Sequence, residues 1–103
     1  MNTIKNAICN SQKLKVTLHD GKVLTIHPYF ILENATNSAQ KILRGYIEGE
    51  KLVSCDVPVD KIKDKEILPE HYAIDHSCLF FNFNEYEIVF PKKEDLDNYY
   101  DLR

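Results

Sequence analysis

One short stretch of the sequence places a cation beside an aromatic ring where a ligand could bind. Residues 42–48 alternate as a β-strand, and Arg44 and Tyr46 fall on the same side of it. A guanidinium next to an aromatic ring can hold a nucleotide or a single-stranded base, because the cation pairs with phosphate while the ring stacks on the base. The alternative is an outer sheet face with a solvated Arg44 and a packed Tyr46.

A second group of potentially reactive side chains lies close together in the sequence. It combines histidine, acidic and cysteine ligand types, namely Glu70, His71, Asp75, His76 and Cys78. Their spacing matches no zinc motif, so a surface loop with incidental histidines is the favoured interpretation. The sequence also lacks the GxSxG, glycine-rich phosphate-binding and HExxH motifs. We therefore expect a non-enzymatic protein without a metal ion or a cofactor.

The apolar C-terminal region predicts a β-hairpin. Residues 79–83 and Tyr86–Phe90 alternate as two strands around Asn84-Glu85. Two interpretations stay open, because the hairpin could cover one end of the domain or pair with another chain. The second interpretation predicts an interface built from Leu79, Phe81, Phe83, Tyr86 and Ile88. It also predicts a homodimer or a protein partner.

Composition and charge exclude several classes of function. The 103 residues are 44% hydrophobic and 28% charged, which is typical of one globular domain with a small core. The net charge of −3 argues against broad binding along nucleic-acid phosphates, but it is compatible with a local basic pocket. No apolar run has the length of a membrane span, and the three cysteines lack a paired spacing. We therefore expect a cytoplasmic protein with reduced thiols.

The first part of the chain predicts a short helix and a hairpin. A helix over residues 3–10 would bury the face formed by Ile4, Ala7 and Ile8. Alternating apolar residues from 14 to 18 predict a strand, and Asp20-Gly21 predicts a tight two-residue turn. Pro28 is expected to end the returning strand, because proline cannot donate to a hydrogen-bonded ladder.

The next part predicts more short strands. They are expected over residues 29–32, 42–48, 52–57 and 62–68, with an exposed loop over 33–40, one helical turn at Val59–Lys61 and a connector over 69–76. Leu43 and Ile47 should share one side of their strand, and Gly45 should allow close backbone approach. The fold class predicted is mainly β, a small antiparallel barrel that follows one helix.

The order of these elements resembles the WYL domain family. The residues that carry the resemblance are Ile4-x-x-Ala7-Ile8, Leu14-x-Val16, Gly21, Ile26-His27-Pro28-Tyr29, Leu43-Arg44-Gly45-Tyr46 and Val57-x-x-Asp60-Lys61-Ile62. The resemblance implies an SH3/Sm-like antiparallel barrel of the kind found in bacterial regulators and phage-defence proteins. Residues 1–68 would form the barrel with its N-terminal helix. Residues 69–103 would be a C-terminal extension packed on the same domain.

The sequence also departs from the family in two places. The tripeptide that names the family falls on Lys41-Ile42-Leu43, so only the leucine is kept. The family often has arginines near its ligand site, where this chain has Pro58 and Lys61, and lysine lacks the two-point geometry that suits phosphate. The resemblance nevertheless brings Lys61 toward the ligand-binding side. It adds Lys61 to the predicted ligand-binding residues.

Two functions from different classes follow from these observations. The first is a non-enzymatic ligand-sensing or regulatory module that binds a nucleotide or a short single-stranded nucleic acid through Arg44, Tyr46 and Lys61. The alternative is a protein–protein interaction module, either a dimer or an inhibitor of a larger bacterial or phage-defence machine, that uses the C-terminal hairpin. Neither function requires a membrane.

Overall fold

A computed structural model of the chain describes residues 1–74, residues 86–92 and residue 95. Its elements are α1 (Asn2–Asn10), β1 (Gln12–Leu18), β2 (Val23–Asn34), β3 (Asn37–Ile47), β4 (Val53–Pro58), a 3₁₀ turn (Val59–Lys61), β5 (Ile62–His71) and β6 (Tyr86–Phe90). The predicted mainly β fold with one N-terminal helix is confirmed. None of the described helices is long and apolar enough to cross a membrane.

The strands form one antiparallel sheet. Their order is β4-β3-β2-β1-β5, and β6 pairs with β2 away from this path. This order, with a 3₁₀ turn between β4 and β5, is compatible with an SH3-like fold. The path is open among the described residues, because β4 and β5 do not pair with each other. A closed barrel is therefore not confirmed.

Strand β2 is longer than expected because Pro28 does not end it. The strand continues to Asn34, and its pairing with β3 shifts register between Pro28 and Phe30. The missing N–H is tolerated because it would point toward β1, whose ladder with β2 covers only residues 23–26 of β2. On the same side of the strand, the carbonyl of Pro28 accepts a hydrogen bond from the hydroxyl of Tyr72.

The polar segment over residues 33–40 was wrongly predicted to be a loop. Strands β2 and β3 run through it, and they leave only Ala35 and Thr36 as a turn. The Asn34 side chain stabilises this turn, because its Oδ1 accepts hydrogen bonds from the N–H and the hydroxyl of Thr36 at 2.9 and 2.7 Å. An ion pair of 2.8 Å between Lys41 and Glu33 joins the two strands beside it.

The first hairpin also differs from its prediction. Its loop has four residues rather than two, because β1 ends at Leu18 and β2 begins at Val23. Leu18 N–H donates to the carbonyl of Lys22, and Gly21 has the expected positive φ of 91°. The helical turn predicted at Val59–Lys61 is confirmed. The connector predicted to begin at residue 69 is wrong, because β5 continues to His71.

Apolar side chains pack into two clusters, one on each side of the sheet. Helix α1 covers the first cluster, whose buried members are Ile4, Ala7, Ile8, Leu14, Val16, Ile26, Ile31, Leu43, Val57 and Ile62. The second cluster contains Tyr29, Phe30, Leu32, Ile42 and Tyr72, with Tyr46, Ile74, Tyr86 and Ile88 packed against it. Leu43 and Ile47 therefore share one side of β3, as predicted.

Candidate functional site

Arg44 lies on the second side of the sheet, and it is not solvated as the alternative interpretation of the sequence supposed. Only 8% of the surface of Arg44 is exposed to solvent. Its Nε and Nη2 donate to Oδ1 and Oδ2 of Asp56 at 2.6 and 2.8 Å, and its Cζ lies 5.3 Å from the ring centroid of Tyr86. The hydrogen bonds to Asp56 raise the pKa of Arg44 above its ordinary value. The guanidinium is thus held by two neighbouring elements.

Tyr46 belongs to a group of aromatic rings near Arg44. Its ring meets that of Tyr29 edge to face, with 5.8 Å between the centroids. Tyr29 in turn lies 5.4 Å from Tyr72, and the Tyr72 ring stacks on His27 at 4.7 Å with only 11° between the planes. These rings fill the second apolar cluster, so Tyr46 has a packing role in the fold.

Lys61 lies elsewhere, at the end of the 3₁₀ turn. It lines a depression of about 390 Å³ together with Leu18, His19, Asp20 and Asp60. Neither Arg44 nor Tyr46 lines this depression. The structure therefore brings Arg44 and Tyr46 to one side of the sheet, as predicted, and places Lys61 in a separate depression.

A charged cluster that the sequence analysis missed lies beside the aromatic rings. Glu48 Oε2 is 2.8 Å from Lys13 Nζ and 2.8 Å from His27 Nε2. The hydrogen bonds from Lys13, and then from His27, lower the pKa of Glu48. Lys13 is in β1, His27 is in β2 and Glu48 follows β3, so no local spacing could have indicated the cluster.

The predicted interface and the predicted histidine loop are described only in part. Tyr86 and Ile88 of β6 pack against the second apolar cluster of their own chain. Leu79, Phe81, Phe83, Asp75, His76 and Cys78 lie outside the described residues. His71 is in β5, and its Nδ1–H donates to the carbonyl of Asn10 at 2.7 Å. No metal-binding group occurs among the residues described.

The two ends of the sheet differ in chemistry. Strand β5 has charged, exposed residues and Pro69 along it, features that natural proteins use to protect an edge from pairing. Strand β4 has one charged residue, Asp56, and its proline is its last residue. Leu52, just before the strand, and Val53, its first residue, are 48% and 59% exposed. In the part of the chain that the structure describes, β4 pairs only with β3. It is therefore the less protected edge.

The hydrogen-bond alternation shows which groups of β3 face β4. Glu48 N–H donates to the carbonyl of Thr25 at 2.8 Å, and the register of β2 and β3 makes them opposite residues. Hydrogen-bonded and non-hydrogen-bonded pairs alternate in an antiparallel ladder. His27 and Tyr46 are then the next hydrogen-bonded pair. Ile47, which lies between Glu48 and Tyr46, must direct its main-chain groups toward β4.

The same alternation assigns the outer edge of β4. Ile47 lies opposite Val53, and Gly45 lies opposite Cys55. The main-chain groups of Val53 and Cys55 therefore point back to β3. Ser54 and Asp56, at the alternate positions, direct their N–H and C=O groups away from the sheet. They form a short row of donors and acceptors without a partner strand among the described residues.

Comparison of the chain with protein-family models, with curated proteins and with solved structures finds no match.

Proposed function

We propose that the chain is a non-enzymatic protein-interaction module that binds an extended segment along β4. The observation that carries this proposal is the outward-facing main chain of Ser54 and Asp56 beside the exposed Leu52 and Val53. An added strand would satisfy these donors and acceptors and would cover the apolar side chains. The β4 edge thus replaces the C-terminal hairpin as the surface proposed for contact.

The charges around β4 define the chemistry of a suitable partner. Glu50, Asp56 and Asp60 surround the edge, and Lys51 is the one cation between residues 48 and 60. Among peptides, those that alternate apolar with polar residues and carry lysine or arginine at polar positions should therefore bind best. Such charges would speed encounter. Asp56 can accept such a contact without losing its bond to Arg44, because its side chain is 38% exposed.

The kinship with WYL proteins is part of this proposal. It is supported by the helix, strands β1 to β5 and the 3₁₀ turn, which follow one another as the resemblance implies. A small interaction module of this kind would act on a larger bacterial or phage-defence assembly, in the cytoplasm.

Selection of peptides from a displayed random library tests the proposal. We expect the chain to enrich peptides that alternate apolar and basic residues. Ser54→Pro should weaken the best synthetic peptide at least about tenfold in a fluorescence-anisotropy titration, because it removes an outward N–H and blocks close approach. The matched control is Lys65→Pro on the opposite edge. Absence of any enriched peptide, or equal binding by Ser54→Pro, would refute the proposal.

The control variant Lys65→Pro matches Ser54→Pro, because the alternation of hydrogen bonds directs both N–H groups away from the sheet. Leu18 N–H donates to Lys22 across the first hairpin, so Leu18 and Val16 of β1 face β2. Lys15 then faces β5, where it lies opposite Glu66. Lys65, next to Glu66, therefore directs its N–H outward, as Ser54 does on β4.

A ligand-sensing function is the second proposal. Lys61 is exposed in its depression beside His19, which gives a phosphate-bearing nucleotide or a short single strand two donors. Asp20 and Asp60 in the same depression oppose an anion, and Asp56 already neutralises Arg44, so this function ranks second. Titration of a nucleotide panel and labelled oligonucleotides at two salt concentrations tests it. If Lys61→Ala leaves binding unchanged, the depression is excluded as the binding site.

A further inference from the structure

The geometry of β4 points to a specific partner: we propose that β4 pairs antiparallel with β4 of a second copy of this chain. A twofold axis would pass between the two strands at Cys55, so that Cys55 lies opposite Cys55 of the second copy. The two sheets would then continue into each other. This inference rests on the proposed use of the β4 edge, and it names one partner for it.

Hydrogen bonding restricts the register of such a pair. Outward-facing residues must meet outward-facing residues, so Ser54 and Asp56 of one copy have to lie opposite Ser54 or Asp56 of the other. An axis at Cys55 places each Ser54 opposite an Asp56. Both residues then exchange their N–H and C=O groups with the partner strand. The same register sets Val53 opposite Val57.

Charge excludes the neighbouring register. An axis at Asp56 would set two carboxylates directly opposite each other, and like charges in this position are destabilising. With the axis at Cys55, Asp56 faces the Ser54 hydroxyl, which can donate to it. The remaining choice, an axis at Ser54, places Leu52 opposite Asp56 and removes Val57 from the pairing. The axis at Cys55 therefore gives the best match of side chains.

Pairing of β4 with β5 of a second copy is less favourable. The exposed positions of β5 include Lys63, Asp64 and Glu66, and Pro69 interrupts its donors. Such head-to-tail contacts would also generate rings or open filaments instead of a dimer. The self-complementary edge of β4 needs only two copies, so the expected assembly is a closed homodimer.

Oligomeric state and amide exchange test the inference directly. Size exclusion with light scattering should give twice the 12.0 kDa chain mass at high micromolar protein. Ser54→Pro should raise the dimer dissociation constant at least about tenfold, while Lys65→Pro keeps the wild-type mass. In hydrogen exchange, the amides of Ser54 and Asp56 should become protected as the concentration rises. The amide of Cys55 should be protected at all concentrations, because it bonds to β3.

Disulfide cross-linking tests the register. In the expected non-hydrogen-bonded position, two Cα atoms lie about 4.5 Å apart, within the range of a disulfide. Prolonged treatment with diamide, which the partly buried thiol requires, should therefore oxidise the two Cys55 thiols to one disulfide, with diamide taking up their two electrons and two protons. The covalent dimer should form in Cys9→Ser and Cys78→Ser, and it should be lost in Cys55→Ser.

Each negative result has a definite meaning. A monomer at every concentration, a larger ring, or a dimer unaffected by Ser54→Pro would overturn the inference. A dimer without the Cys55 cross-link would overturn the proposed register. A monomeric chain that still binds selected peptides at β4 would leave the proposed function intact and refute only the second copy as partner.

Discussion

Arg44 of β3 lies directly opposite Asp56 of β4, and the two side chains form a two-point ion pair. The side chain of Arg44 is 9% exposed, whereas the side chain of Asp56 is 38% exposed. The pair therefore spans the boundary between the second apolar cluster and solvent. It ties the edge strand to the sheet, and it neutralises a cation that would otherwise be buried among aromatic rings.

Loss of the Asp56 charge should destabilise the fold. Asp56→Asn leaves Arg44 charged and largely buried with weaker acceptors, so we expect the free energy of unfolding to fall by about 1.5–3 kcal/mol. Urea denaturation measures this change. The control is Glu50→Gln, which removes an exposed carboxylate and should stay within about 0.5 kcal/mol of wild type. Equal stability of the two variants would contradict a structural role for the ion pair.

Gly45 should tolerate no side chain. A Cβ at this position would clash with the main-chain carbonyl of His27, and backbone atoms cannot move aside cheaply. We expect Gly45→Ala to lower the free energy of unfolding by at least about 3 kcal/mol. Gly49→Ala is the control, because the nearest atom to its Cβ would be 3.7 Å away, an ordinary contact. Thermal unfolding of both variants checks the difference.

Glu48 should make stability depend on acid pH. Hydrogen bonds from Lys13 and His27 lower the pKa of Glu48 below its ordinary value of 4.5. Its stabilising contribution is therefore complete above 4.5 and is lost as the pH falls through the lower, folded-state pKa. Urea midpoints measured on both sides of this pH should change less in Glu48→Gln than in wild type. Glu50→Gln should behave as wild type, and a wild-type response from Glu48→Gln would rule out this linkage.

Cys55 should react slowly with alkylating reagents. Burial, followed by the charge of Asp56, raises the pKa of its thiol from 9.0 to about 11. The thiolate is the reactive form, so at pH 8 a rise of two units lowers the reactive fraction about 100-fold. Iodoacetamide labelling followed by mass spectrometry should modify the exposed Cys9 first. In urea the two cysteines should label at similar rates, and early labelling of Cys55 in the folded protein would contradict this prediction.

Local patterns in the sequence determined much of the architecture. The apolar face of α1, the alternation of β1, the shared side of Leu43 and Ile47, and the turn at Val59–Lys61 were all predictable. Each depends on a periodicity or a residue preference that acts within a few positions of the chain. The close approach at Gly45 was predictable for the same reason.

The tertiary structure alone decided how the strands continue and which charges meet. Pro28 stays within β2 because its missing N–H points to a side where no β1 residue pairs with it, which only the sheet geometry can show. Arg44 is buried because β4 supplies Asp56 and β6 supplies Tyr86, and the sequence predicted neither contact. Lys13, His27 and Glu48 meet for the same reason. Interactions between distant residues depend on strand order and register, and these are set by packing of the whole sheet.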